Sequence, residues 1–278
     1  MKTEAERRKQ SKERAALACD KDLVDKALRR YIIGLKGPRL LREAIKYAVF
    51  PGGKRLRPIL LLETCKALNG KVKKALPFAC AVELAHSFSL VHDDLPAMDD
   101  DDFRRNKPAC HRKFTEGLAI LAGDALLNLA FGIISKTKHK KIRKIITVFS
   151  KALGTESMIG GQAMDMEYEK KKKKNVKLKN NIDRMKTAAL MAASCRIGAL
   201  AAVSKTNYIN KMDKFGLNFG LAFQIKDDLS DAAFAKPLLR RMEKDINFFI
   251  SNAKRNITFL GKKGNVLRYI TDRIWKNF

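Results

Sequence analysis

The sequence predicts an all-α protein. Apolar residues recur at helical spacing through most of the chain, alternating strand patterns are hard to find, and Gly- or Pro-containing breakers fall between the periodic segments. Residues 78–92 set the pattern, with Phe78, Ala81, Val82, Leu84, Ala85, Phe88, Ser89 and His92 at short helical intervals. Segments 118–135, 184–203 and 212–229 repeat it, and 238–260 and 265–276 are compatible with it. Breakers lie at Gly37-Pro38, Pro51-Gly52-Gly53, Asn69-Gly70, Pro96, Pro108, Gly160-Gly161, Pro237 and Gly261 to Gly264. At the usual helix length this makes about ten helices. With no internal repeat and no linker to divide it, one domain is expected over residues 1–278.

Composition narrows the function class. Apolar residues are 46% of the chain, enough for a substantial core. No apolar run is expected to reach bilayer length, and Lys2, Glu4, Glu6 and Arg7 occupy the place of an apolar signal core, so neither a transmembrane segment nor secretion is expected. Cys19, Cys65, Cys80, Cys110 and Cys195 are scattered without metal-type pairing and read as reduced thiols of a cytoplasmic protein. A formal charge of +29 invites a nucleic-acid reading. No nucleic-acid motif accompanies it, so the basic residues are expected to form a solvated surface. The longest run, Lys170 to Lys174, lies in a polar stretch ending near Asn180-Asn181 and reads as a loop.

Against this cationic background, two acidic clusters stand out. Asp227, Asp228 and Asp231 follow one another at i, i+1 and i+4, so Asp227 and Asp231 stack on one helix face, and Gln224 extends the stripe. Phe219, Leu221, Ala222, Phe223 and Ile225 make that helix too apolar for a solvated one. Asp93-Asp94 and Asp99 have a different geometry, because a straight helix would point Asp93 and Asp99 to different sides. Pro96 cannot take an interior helical position, so the helix is expected to end near Asp94 and turn Asp99 back towards the same ion. Crowded carboxylates repel unless a cation holds them, and a hard divalent ion shared with substrate phosphates suits them best.

Cations flank these clusters. Arg104 and Arg105 follow the first and offer planar forks for phosphate. Gly52-Gly53-Lys54-Arg55-Leu56-Arg57-Pro58 gives a permissive turn and three cations at a helix start, without the spacing of a P-loop. Lys186-Thr187 supplies a point charge and a hydroxyl early in a helix. Together they point to metal-assisted chemistry on a phosphorylated substrate.

These residues make the chain recognisable. Gly52 to Pro58, Glu83-Leu-Ala-His86, Asp93 to Asp99 with Arg104-Arg105, Leu121-Ala-Gly-Asp124, Gly160-Gly-Gln-Ala-Met-Asp165, Lys186-Thr187 and Phe223 to Asp231 resemble, in order, the motifs of the trans-isoprenyl diphosphate synthases, most closely the bacterial farnesyl diphosphate synthase branch. The likeness covers about residues 30–231 and becomes loose and shortened beyond. It implies an isoprenoid synthase fold, a bundle of mostly antiparallel helices around a central cavity, and usually a homodimer. It implies a transferase that joins isopentenyl diphosphate to an allylic diphosphate. By that likeness Asp93 and Asp99, with Asp94 in support, and Asp227, Asp228 and Asp231 hold about three Mg²⁺ ions, for which Mn²⁺ can substitute. Arg104 and the catalytic set Lys186, Thr187 and Gln224 contact the allylic diphosphate. Lys54, Arg57, His86 and Arg105 hold isopentenyl diphosphate.

Ser89, one turn before Asp93, and its neighbour Phe88 are expected on the cavity wall, where an aromatic, with Pro96-Ala97 inside the acidic motif, resembles the farnesyl pattern. The sequence also departs from the family. After Asp231 the usual Gly-Lys-rich segment is replaced by Ala-Ala-Phe-Ala and Lys236-Pro237, which keeps a weakly active or non-catalytic subunit open beside farnesyl and geranylgeranyl diphosphate synthesis. A terpene cyclase would need no second-substrate site, and the Lys54, Arg57, His86 and Arg105 set speaks against it.

Overall fold

The computed structural model describes residues 4–50, 52–170, 176–202, 205–231 and 236–276. The fold is helical, as predicted. Helix α1 (Glu4–Ile33) leads to α2 (Arg39–Val49), α3 (Leu56–Ala67) and α4 (Val72–Asp93). A small hairpin of β1 (Phe103–Arg104) and β2 (Lys107–Pro108) precedes the single turn α5 (Cys110–Lys113), then α6 (Glu116–Lys136), α7 (Ile142–Leu153) and α8 (Met158–Glu169). Helix α9 (Val176–Asp183) passes through a π turn (Arg184–Ala188) into α10 (Ala189–Ala201), followed by α11 (Thr206–Asp231), α12 (Lys236–Asn256) and α13 (Asn265–Asp272).

The core lies where α4 packs on α3 and α6, and where α10 packs between α3 and α11. A helix apolar on every side must be enclosed. Helix α3 obeys this, burying Leu60, Leu61, Leu62 and Cys65 completely. Helices α4 and α6 are each long and apolar enough to cross a bilayer, which corrects the expectation that no run has that length. In this fold they lie against one another, and 67% of the apolar window of α4 is buried.

Several elements differ from the sequence reading. The mixed-charge start of the chain forms α1, whose buried stripe carries Glu13 and Asp20 as well as Val24, Leu28 and Ile32, so the apolar period is interrupted by carboxylates. Asn180-Asn181 belong to α9 rather than to a loop, while residues 171–174 of the basic run lie outside the described residues. Gly160-Gly161 do not break a helix. They sit inside α8 because the π turn passes close by: a Cβ on Gly161 would lie 2.5 Å from the backbone nitrogen of Lys186. Pro237 falls in the first turn of α12, where its missing N–H is tolerated.

Candidate active site

The first acidic wall is built as Pro96 predicts. Helix α4 stops at Asp93, and the N–H of Asp99 donates to the carbonyl of Asp93 at 2.9 Å, closing the loop so that both carboxylates line one cavity. His86, two turns earlier on the same face of α4, lines it as well. Asp94 is placed differently from the expectation. It is 2% exposed, turns away from the cavity and accepts from Nε of Arg104 at 2.8 Å, so it holds that arginine rather than facing an ion.

The hairpin that follows is a directing device. Arg105 and Asn106 carry φ of 55° and 60°, the paired left-handed conformation of a tight hairpin turn. Arg104 on β1 is drawn to Asp94 and Asp101, while Arg105 folds back over the Gly53 loop, where a Cβ on Gly53 would sit 2.8 Å from its guanidinium carbon.

The loop itself rests on Arg55, whose side chain is fully buried. Its Nε donates to Asp25 at 2.8 Å, Nη1 to Glu83 at 2.6 Å and Nη2 to the carbonyl of Val49 at 2.8 Å. Gly52 has to be glycine here, since a Cβ would lie 1.9 Å from the Arg55 guanidinium carbon. With the loop fixed, Lys54 and Arg57 line the same cavity as the carboxylates. Nη1 of Arg57 lies 3.2 Å from Nε2 of His86. Burial, reinforced by Arg57 and Arg105, holds the imidazole well below its ordinary range, so it is neutral and accepts that bond. Burial also pulls Arg57 down to about 10, and its Nε is buried without a hydrogen-bond partner among the described residues. Cations this desolvated call for an anion.

The second wall comes from α11. Gln224 Oε1 accepts from the Thr187 hydroxyl at 2.7 Å, and Gln224 Nε2 donates to Asp228 at 2.8 Å. Gln224, Thr187 and Asp227 line the same cavity as Asp93 and Asp99. Asp228 stands behind them, 3.7 Å from Nζ of Lys179, and the Asp231 side chain lies outside the described residues. From the π turn, Lys186 reaches across to Asp165 at 2.8 Å and stands 3.8 Å from Asp99. Single π turns recur at functional sites because the extra residue re-aims side chains.

The cavity holds about 1140 Å³. Its mouth is charged, and its apolar part is lined by Phe88, Leu127, Met158 and Ile159, with Ser89 among them. Phe88 is therefore a wall residue, with its ring edge-on to His92 at 4.9 Å. Sequence reasoning named the motifs holding Gln162 and Asp165 without giving them roles. The structure has Gln162 donating to Asp99 at 3.3 Å and Asp165 anchoring Lys186. Arg55 was read only as one of three cations at a helix start and Lys179 was not singled out, because burial of one cation and the inward turn of another leave no trace in spacing alone.

The donor set fits a hard divalent ion. Burial pushes Asp93 up to about 7, with Lys186 opposing and Asp99 adding, so its surroundings disfavour the bare carboxylate charge. Among the described residues no three His, Cys, Asp or Glu side chains enclose an ion by themselves. Carboxylates on two facing walls suit Mg²⁺, which takes one or two protein oxygens and fills its shell with water and phosphate.

Comparison with known proteins agrees with this chemistry. The family model described as polyprenyl synthetase matches residues 38–247. The chain is 39% identical to farnesyl diphosphate synthase of Geobacillus stearothermophilus, covering 91% of this chain and 94% of that protein. It is 42% identical to geranylgeranyl diphosphate synthase of Cyanophora paradoxa, covering 76% and 71% respectively. The apo crystal structure of an FPP/GFPP synthase from Zymomonas mobilis superposes with a TM-score of 0.88 at 32% identity, covering 94% of this chain and 98% of that one. The chain belongs to the polyprenyl synthetase family and is a prenyltransferase.

Proposed function

We propose that this chain condenses isopentenyl diphosphate with dimethylallyl or geranyl diphosphate, releasing inorganic diphosphate at each condensation and giving farnesyl diphosphate as the final product. One observation carries the reading: a single cavity is lined by the carboxylates Asp93, Asp99 and Asp227, by the cations Lys54, Arg57 and Arg105, and by apolar side chains such as Phe88 and Leu127. Two diphosphates of different needs fit such a cavity better than one.

In this reading Asp93, Asp99, Asp227, Asp228 and Asp231 hold Mg²⁺, and Asp94 serves by fixing Arg104. When bound, the ions neutralise charge gathering on the leaving diphosphate. Lys186, Thr187, Gln224 and Arg104 contact the same diphosphate, so the carbon–oxygen bond breaks towards prepaid positive charge. Lys54, Arg57, His86 and Arg105 hold isopentenyl diphosphate, so that its double bond meets the allylic cation without a diffusional search. The proton lost afterwards passes to the departing diphosphate, and the apolar recess keeps water from the cation. Phe88 stands at the recess wall and supports the choice of farnesyl over longer products. A homodimer is part of the proposal, supported by the exposed apolar Ile120 and Leu121 on α6. So is a cytoplasmic location, in keeping with five unpaired thiols.

The test is incubation of the purified chain with Mg²⁺, isopentenyl diphosphate and either allylic primer, followed by dephosphorylation and sizing of the alcohols. Farnesol is expected from both primers. Geranylgeraniol would overturn the product assignment, and no product would favour a non-catalytic subunit.

A further inference from the structure

Lys179 on α9 lies behind the second acidic wall, and no role yet described uses it. Its ammonium bonds Asp183 one turn along and stands 3.7 Å from Oδ2 of Asp228. The other oxygen of Asp228 accepts from Gln224, which lines the cavity. Lys179, Asp183 and Lys186 follow one another at four and three residues, so one continuous helical segment places Lys186 on the cavity and Lys179 behind its wall, beside Asp228. Each lysine has a carboxylate of its own as an anchor, Asp183 for Lys179 and Asp165 for Lys186, and each also approaches an acidic-motif aspartate, Asp228 and Asp99. Asp183 is buried with its side chain 7% exposed, while the Lys179 side chain is 32% exposed.

We propose that Lys179 is a second lysine of the allylic diphosphate subsite, pairing with Asp228 while the site is empty and turning onto the diphosphate once a metal-bound diphosphate engages that carboxylate. The proposal rests on the function proposed above. A compact ammonium on a flexible four-carbon stem suits such a change of partner. Asp183 stays behind to limit how far the ammonium travels. A purely structural role, tying α9 to α11, is the competing account, and the two predict different variants.

Full-length Lys179→Met and Lys179→Arg proteins would be titrated calorimetrically with inorganic pyrophosphate in Mg²⁺ and, separately, with Mg²⁺ alone. Loss of one charge-assisted contact is expected to weaken pyrophosphate by about tenfold in the Met variant. The Arg variant should recover to within about twofold, and Mg²⁺ alone should not weaken. In turnover, KM for the allylic substrate should rise in the Met variant while KM for isopentenyl diphosphate stays. Unchanged pyrophosphate affinity in the Met variant would overturn the inference. So would parallel weakening of pyrophosphate, Mg²⁺ and isopentenyl diphosphate with a fall in Tm that Arg fails to rescue. A wild-type chain without Mg²⁺-dependent pyrophosphate binding would overturn the proposed function, and this inference with it.

Discussion

The two sides of the cavity mouth solve opposite electrostatic problems. On one side Asp93, Asp99 and Asp227 concentrate carboxylates with Lys186 and Arg104 beside them, and burial pushes Asp93 up to about 7. On the other side Arg57, Arg105 and Lys54 concentrate positive charge around a neutral His86, and burial pulls Arg57 down to about 10. The first needs metal ions beside Lys186 and Arg104 before an anion can settle among its carboxylates. The second can bind one directly. Two chemically similar groups can thus be told apart by whether they arrive with metal.

The largest expected effect follows from that difference. A chelator should abolish binding of a non-reactive allylic diphosphate analogue, yet leave isopentenyl diphosphate affinity within about twofold, as calorimetry would read. Loss of both affinities together would erase the distinction between the two sides. Next in size is Arg55→Ala, which leaves Glu83 buried without its guanidinium partner and should cost about 3–5 kcal/mol of stability in thermal or denaturant unfolding. A cost below about 1 kcal/mol would show that the loop does not depend on this contact. Arg57→Met should raise KM for isopentenyl diphosphate by about tenfold or more with little change for the allylic substrate, the reverse of the Lys179→Met pattern. Phe88→Ala should have the smallest effect on substrate affinity and the most visible one in product: the recess deepens and chain length should extend beyond farnesyl, read by sizing the alcohols. An unchanged product would move the chain-length determinant elsewhere.

Much of the first wall was legible in the sequence. Pro96 dictates where α4 stops, and with it the return of Asp99 to Asp93. The i, i+1, i+4 spacing placed Asp227 and Gln224 on a cavity-facing helix in the same direct way. Other features depend on what lies across from a residue, which spacing does not encode. Asp94 differs from Asp93 by one position, about 100° around a helix, and that turn hands it to Arg104. Gly160 and Gly161 look like a breaker until the π turn is known to press on them. The start of the chain hides a helix because Glu13 and Asp20 take places in its buried stripe, and α9 hides because lysine and asparagine dominate its composition. Both are held by ion pairs with other elements or along the helix, such as Lys66 with Asp20 and Lys179 with Asp183, rather than by an apolar face alone.

The most direct test of the two-sided mouth is a crystal structure with Mn²⁺, a non-reactive allylic thiodiphosphate and isopentenyl diphosphate, read by anomalous scattering. The account predicts metal bridging Asp93 and Asp99 on one wall and Asp227 on the other through the allylic diphosphate, with isopentenyl diphosphate on Lys54, Arg57 and Arg105 and no metal beside it. Metal at the arginine side, or the two diphosphates exchanged, would contradict it.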